Sequence, residues 1–90
     1  MSNATVRARL SDGLFPSEVA AIIEDIDGQQ IGFIASADLV VDRHNGSGRV
    51  TVRVLEKRGD HALIEIPGDV YGAVRYAVVP LSSLSNERTG

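Results

Sequence analysis

The feature that most constrains the fold of this chain is a strict alternation of apolar and polar residues in two segments. In residues 5–10 the apolar side chains are separated by arginines, and in residues 49–54 three valines are separated by Thr51 and Arg53. A period of two places successive side chains on opposite faces of a β-strand, one of which is buried. The pattern therefore predicts a chain built from half-buried strands.

The chain has 90 residues, which is enough for one domain and too short for two independent cores. We expect a single domain over residues 1–90, with frayed polar ends at 1–4 and 85–90.

The chain contains no cysteine, which excludes disulfides and cysteine-based zinc sites. It opens with no signal-like segment, and its longest apolar stretch is far shorter than the ~20 residues of a bilayer span. We expect a cytoplasmic protein that does not enter membranes.

Residues 19–26 fit either a helix or a strand. Their apolar side chains fall at helical spacing, and Ser17 and Gly28 are suitable helix caps. However, valine and isoleucine are β-branched and favour strands, and Asp27-Gly28 between two apolar runs is typical of a hairpin turn. We predict a strand here, returning at residues 31–35.

The remaining segments give more strands and short turns. Residues 36–39 and 80–84 are predicted to form single helical turns, and residues 42–49 a mobile loop or a wide hairpin turn. Further strands are predicted at 50–54, 62–66 and 74–79. The predicted fold is all-β, a small barrel of five to seven strands with short helical turns.

Similar segments recur in the two halves of the chain. Residues 5–7 and 51–53 are both Thr-Val-Arg, and residues 21–24 resemble residues 62–65. A true repeat would make each half a strand, a hairpin and a helical turn, closing into one barrel about a pseudo-two-fold axis. The alternative is chance similarity between strands rich in valine, isoleucine and alanine.

The paired strands, the short turns and the segment Val79-Pro80-Leu81-Ser82-Ser83-Leu84 resemble SH3-like small barrels in architecture, without a family motif. Peptide-binding SH3 domains dock proline helices on aromatic-lined grooves. This chain has no tryptophan, and its only aromatic residues are Phe15, Phe33, Tyr71 and Tyr76. Proline-helix binding is therefore not expected.

No catalytic motif is present, and we expect neither an enzyme nor a bound cofactor. His44 and His61 lack the three or four convergent ligands that a metal site needs, so no metal is expected. The acidic cluster Glu24, Asp25 and Asp27 has no catalytic partner and is interpreted as a solvated turn.

The hypothesis favoured by these observations is a non-catalytic domain that binds another protein or its own copy as a homodimer. Its predicted anchors are the loop residues Leu14, Phe15 and Tyr71. The alternative is anion or nucleic-acid binding by one exterior face that carries Arg7, Arg9, Arg49 and Arg53. A net charge of −3 disfavours nucleic acid, and the arginines could instead be solvated or pair across strands with Glu56 or Glu65.

Overall fold

The computed structural model describes residues 2–67 and 75–86, and this part of the chain is almost entirely β. The strands are β1 (Ser2–Asp12), β2 (Glu18–Glu24), β3 (Gln30–Ser36), β4 (Val40–His44), β5 (Ser47–Arg58), β6 (His61–Ile66), β7 (Arg75–Pro80) and β8 (Leu84–Asn86). Single 3₁₀ turns, Ala37–Leu39 and Leu81–Ser83, separate β3 from β4 and β7 from β8. The predicted all-β fold with short helical turns is confirmed, and residues 19–24 of the uncertain segment 19–26 form a strand, followed by a turn.

The strands form one curled antiparallel sheet in the order β3-β2-β1-β5-β6-β7, with β4 paired to β5 and β8 paired to β1. This order is symmetric, because each strand of the first half has a counterpart in the second. The last strand of each half pairs with the first strand of the other half. The element order therefore repeats, which agrees with the first of the two alternatives left open by the sequence, and the two halves interlock through β4 and β8.

The register of the repeat differs from the register that the sequence suggested. Glu18 of β2 pairs with Ser36, just before the first 3₁₀ turn, and His61 of β6 pairs with Pro80, just before the second. These pairs make β2 and β6 counterparts. In the same repeat, the pair of Val40 in β4 with Val50 matches the pair of Leu84 in β8 with Val6, so Val6 corresponds to Val50 instead of Val52. A shift of two residues keeps every side chain on its own face, so apolar alternation cannot exclude it.

The core lies on the concave side of the curled sheet. Strands β1, β2, β5 and β6 each contribute alternate residues to it, as the period of two predicted. The buried apolar side chains are Ala4, Val6, Ala8, Leu10, Val19, Ala21, Ile23, Phe33, Ala35, Val50, Val52, Val54, Ala62, Ile64, Ile66, Ala77 and Val79. Outward-facing residues of the two central strands, which include the arginines, lie on the convex side.

Three predicted details are corrected by the strand pairing. Residues 2–4 are not a frayed tail, because they pair with β5 and Ala4 is fully buried. Residues 84–86 form β8 on the edge of β1. Residues 42–49 belong to two strands joined by a two-residue turn, in which Asn45 and Gly46 both have positive φ. This is the geometry of a type I′ hairpin. Of the two predicted alternatives, a mobile loop and a wide hairpin turn, the structure shows a hairpin, with a tight turn in place of a wide one. Within residues 2–67 and 75–86 there are eight strands, above the predicted five to seven, because β4 and β8 are strands.

The two outer strands of the sheet are tied together across the open side of the curl. The amide of Ile26, in the β2–β3 turn, donates to the carbonyl oxygen of Val78 in β7 over 2.8 Å. The Arg75 guanidinium donates to the carbonyl oxygen of Gly32 in β3 over 3.1 Å. These bonds hold the sheet in its barrel-like curvature. The described residues contain no helix with the length and apolar character to cross a membrane.

Candidate functional site

The turn between β1 and β2 projects two large apolar side chains into solvent. Leu14 is 91% exposed and Phe15 is 61% exposed. Two backbone hydrogen bonds hold the turn: Gly13 donates to the carbonyl oxygen of Glu18 over 3.1 Å, and the Glu18 amide donates to the carbonyl oxygen of Phe15 over 3.0 Å. A Cβ atom on Gly13 would lie 2.8 Å from that Glu18 oxygen, so the turn closes tightly at its base. We call Leu14 and Phe15 together the hairpin tip.

The other large exposed apolar residues do not belong to the hairpin tip. Ile22, Ile26, Val41 and Tyr76 lie on β2, on the β2–β3 turn, on β4 and on β7 respectively. The predicted anchor Tyr71 lies outside the described residues. Tyr76 was not among the predicted site residues, although its position directly before buried Ala77 in a strand indicates an outward side chain.

The structure brings the four predicted arginines to one exterior face. Strands β1 and β5 are antiparallel neighbours, and Arg7 lies directly opposite Arg49. Arg9 lies opposite Ser47, and Arg53 lies opposite Asn3. Because all four positions have the same parity in an unbroken register, their side chains share the convex face of the sheet. We call Arg7, Arg9, Arg49 and Arg53 the arginine face.

These arginines are not equivalent. The half-buried Arg49 donates from Nε to the hydroxyl oxygen of Thr5 over 2.8 Å, and from Nη2 to the carbonyl oxygens of Thr5 and Ser83 over 3.1 and 3.0 Å. Among the residues that the structure describes, Arg7, Arg9 and Arg53 form no hydrogen bond or ion pair through their side chains and are exposed. Three arginines are therefore free to contact a ligand.

A groove opens beside the arginine face where the edge of β1 lacks a neighbour. Strand β8 pairs with β1 only at residues 4–6, and β2 only at residues 9–12. The gap between them leads into a groove of about 530 Å³. Its walls come from β1, the β2–β3 hairpin, Ser47 and the second 3₁₀ turn, and its lining residues are Arg7, Ala8, Arg9, Ile22, Ile23, Glu24, Gln30, Ser47, Pro80, Ser82 and Ser83.

The charged side chains of this groove are two arginines and one glutamate. Arg7 and Arg9 lie on β1, and Glu24 lies at the end of β2. The lining thus has a net positive charge in a chain whose overall charge is −3. Ile22 and Pro80 add apolar surface, and Ser82 adds an exposed hydroxyl group. The groove combines two guanidinium groups with a small apolar wall, a combination suited to a small anionic group attached to an organic chain.

The remaining polar side chains singled out in the sequence serve local structure. One carboxylate oxygen of Asp25 accepts the amides of Asp27 and Gln29 over 2.9 and 2.8 Å, which stabilises the β2–β3 turn. His61 lies 3.3 Å from Asp60, and His44 lies 3.2 Å from Asn45. Within residues 2–67 and 75–86, no three histidine, aspartate or glutamate side chains come together as a metal site requires.

No protein-family model matches this chain, and neither a curated protein nor a solved structure shows significant similarity to it. The function must therefore be argued from the hairpin tip, the arginine face and the groove.

Proposed function

We propose that this chain is a non-catalytic protein-interaction domain that docks through its hairpin tip. The observation that supports the proposal is the exposure of Leu14 and Phe15, at 91% and 61%, on a hydrogen-bonded turn. Large apolar side chains that are mostly exposed to solvent are typical anchors of interfaces. The partner is another protein or a second copy of this chain, and the cytoplasm is the proposed compartment.

The physical basis is the burial of two side chains at little conformational cost. Complete burial of a leucine or phenylalanine side chain stabilises a complex by about 1.5–3 kcal/mol. The backbone bonds of Gly13 and Glu18 hold the turn before binding, so little backbone freedom is lost when a partner docks. A hairpin tip of this shape fits a concave apolar pocket on the partner.

The test replaces Leu14 and Phe15 by alanine, singly and together, with Val41→Ala as the control. Val41 is also exposed, at 39%, but lies on β4 and is not part of the hairpin tip. Sedimentation equilibrium measures self-association, and affinity capture with quantitative mass spectrometry measures partner binding. We expect the tip variants to weaken association while Val41→Ala leaves it unchanged. Equal association of the folded double variant and the parent would show that the tip is not the docking site.

Anion or nucleic-acid binding by the arginine face is the second candidate function. It is favoured by the free, exposed guanidinium groups of Arg7, Arg9 and Arg53 on one side of the sheet. Binding of a polyanion must weaken steeply with salt, because it releases condensed counterions. A fluorescent single-stranded oligonucleotide titrated at low and at physiological ionic strength therefore tests it. Salt-independent association through the hairpin tip, with no oligonucleotide binding, would reject the second candidate function and support the first.

A further inference from the structure

The groove beside β1 lies where the edge of this strand passes from β8 to β2. The Leu10 amide donates to the carbonyl oxygen of Gly46, on the β5 side of β1. Backbone groups of a strand point alternately to its two sides, so the odd-numbered residues of β1 point away from β5. Thr5 then faces β8 and Arg9 faces β2, and the register of β1 with β8 places the backbone of Arg7 opposite Ser83. The group that Arg7 offers to a ligand in the groove is therefore its exposed guanidinium group.

The charges of the groove indicate the kind of anion that fits. The guanidinium groups of Arg7 and Arg9 and the carboxylate of Glu24 sum to one positive charge. A carboxylate with a single negative charge balances that sum, whereas a phosphate dianion would exceed it and would be repelled by Glu24 more strongly than a carboxylate is. Arginine also matches the two oxygens of a carboxylate in a bidentate geometry. The adjacent Ile22 and Pro80 suit the methylene groups that carry such a carboxylate in a protein.

We propose that this groove binds an aspartate or glutamate carboxylate of a partner protein, with Arg7 and Arg9 as the charged ligands. The proposal deepens the proposed function and rests on it, because the carboxylate belongs to the chain that the hairpin tip also contacts. Arg49 acts as a positioning residue. Its bond to the carbonyl oxygen of Ser83 holds the second 3₁₀ turn, which forms one wall of the groove.

The internal repeat supplies a matched control for this site. The gap between β2 and β8 on β1 corresponds to the gap between β4 and β6 on β5, because β4 pairs with β5 up to Val50 and β6 begins pairing at Arg53. In that second gap, Thr51 occupies the position of Arg7, and Arg53 occupies the position of Arg9. Arg53 is exposed and free like Arg9, but it is not part of the groove. A change at Arg53 therefore removes the same charge from the arginine face without touching the site.

The experiment uses the full chain, labelled with ¹⁵N, and small probes in place of a partner, so its outcome does not depend on the hairpin tip. The probes are N-acetylglutamate methylamide, its neutral glutamine analogue and inorganic phosphate. We expect saturable shifts of the Arg7, Ala8 and Ile22 amide resonances with the glutamate probe and none with the glutamine analogue. Arg7→Gln and Arg9→Gln should each weaken binding roughly tenfold, because each removes a charge-assisted contact. Arg53→Gln should leave binding unchanged, and Glu24→Gln should strengthen it.

Several outcomes would overturn the proposal. Shifts scattered over the surface, or equal losses in Arg53→Gln and Arg9→Gln, would indicate general attraction to the arginine face. Equal shifts with the glutamine analogue would remove the role of the charge, and tighter binding of phosphate would show that the ligand class is wrong. The same spectra report whether each variant is folded. If the glutamate probe does not bind but docking through Leu14 and Phe15 is normal, only the proposed groove site is rejected. If the probe binds but docking does not depend on Leu14 and Phe15, only the hairpin tip is rejected as the docking site.

Discussion

Arg49 Nε lies 2.8 Å from the hydroxyl oxygen of Thr5, across the pair of central strands that joins the two halves of the fold. The same guanidinium group also donates to the carbonyl oxygens of Thr5 and Ser83. The Thr5 hydroxyl donates in turn to the carbonyl oxygen of Ser85 over 3.4 Å. One half-buried arginine thus links β5, β1, the second 3₁₀ turn and β8, and this linkage separates it from the other arginines of the same face.

We predict that Arg49→Ala lowers the free energy of unfolding by about 1.5–3 kcal/mol, the cost of losing hydrogen bonds to a charged group. Arg49→Lys should recover little of this loss, because an ammonium group cannot form all three of the hydrogen bonds that the planar guanidinium group donates to Thr5 and Ser83. Arg53→Ala is the control, and its effect should stay within about 0.5 kcal/mol because its side chain is exposed and unbonded. Urea denaturation measures all three. Equal effects of Arg49→Ala and Arg53→Ala would contradict the linking role.

Two neighbouring isoleucines of β2 test whether residues 18–24 form a strand. Ile23 is 1% exposed and packs in the core, whereas Ile22 is 39% exposed on the opposite face. We predict that Ile23→Ala costs about 2–5 kcal/mol and that Ile22→Ala costs under about 1 kcal/mol. Thermal and urea unfolding of the two variants measure the difference. A helix would bury both residues on one side, so similar large costs would be evidence against the strand.

Much of the fold could be predicted because the local order of apolar and polar residues determines it. The alternation around Val6 and Val52 predicts β1 and β5, and β-branched residues predict β2. Asn45-Gly46 is a typical type I′ turn, although the polar residues around it suggested a loop. Strand β8 could not be predicted, because it is short and pairs only with β1 at the other end of the chain, which leaves no local signal. Strand β4 pairs locally with β5, but its residues 42–44 are all polar and show no apolar alternation.

The candidate site shows the same division between local and long-range information. Parity alone places Arg7, Arg9, Arg49 and Arg53 on one face, provided that β1 and β5 are neighbours. The distinct role of Arg49 depends on the hydroxyl oxygen of Thr5, in the opposite half of the chain, and on the carbonyl oxygen of Ser83, 34 residues further along the chain. The groove depends on where β2 and β8 stop along β1, and no residue type encodes that boundary.

Gly48 is predicted to be intolerant of a side chain for reasons of space. A Cβ atom at this position would lie 2.7 Å from Leu10 Cδ1, 3.1 Å from Arg43 Cα and 3.2 Å from the Val41 carbonyl oxygen. Leu10 is buried and the other two contacts are backbone, so relief requires β4 to move. Gly48→Ala should therefore cost about 1–3 kcal/mol.

Gly32 provides the control for this prediction, because the nearest atom to a Cβ there is the Ala21 carbonyl oxygen at an ordinary 3.9 Å. Gly32→Ala should be neutral within about 0.5 kcal/mol or slightly stabilising, since it restricts the unfolded chain. Urea midpoints of both variants give the comparison. If Gly48→Ala is as stable as Gly32→Ala, β4 does not pack against β5 as described.

The interlocked repeat predicts that neither half of the chain folds alone but that the two halves reassemble. A cut between Asn45 and Gly46 falls in an exposed turn and separates β1–β4 from β5–β8. Each fragment then loses the partner of its first and last strands and exposes the buried Val6 or Val50. We expect each fragment to be unfolded by circular dichroism, and an equimolar mixture to regain the β spectrum and a cooperative melt.

Variants at two positions make this test specific. Val50→Asp places a charge at the centre of the β1–β5 contact and should prevent reassembly, because a buried unpaired carboxylate is strongly unfavourable. Val41→Asp places the same charge on the exposed side of β4 and should allow it. A cooperative melt from either fragment by itself would mean that the halves are independent, and the pairing of β4 with β5 and of β8 with β1 would then not be needed for folding.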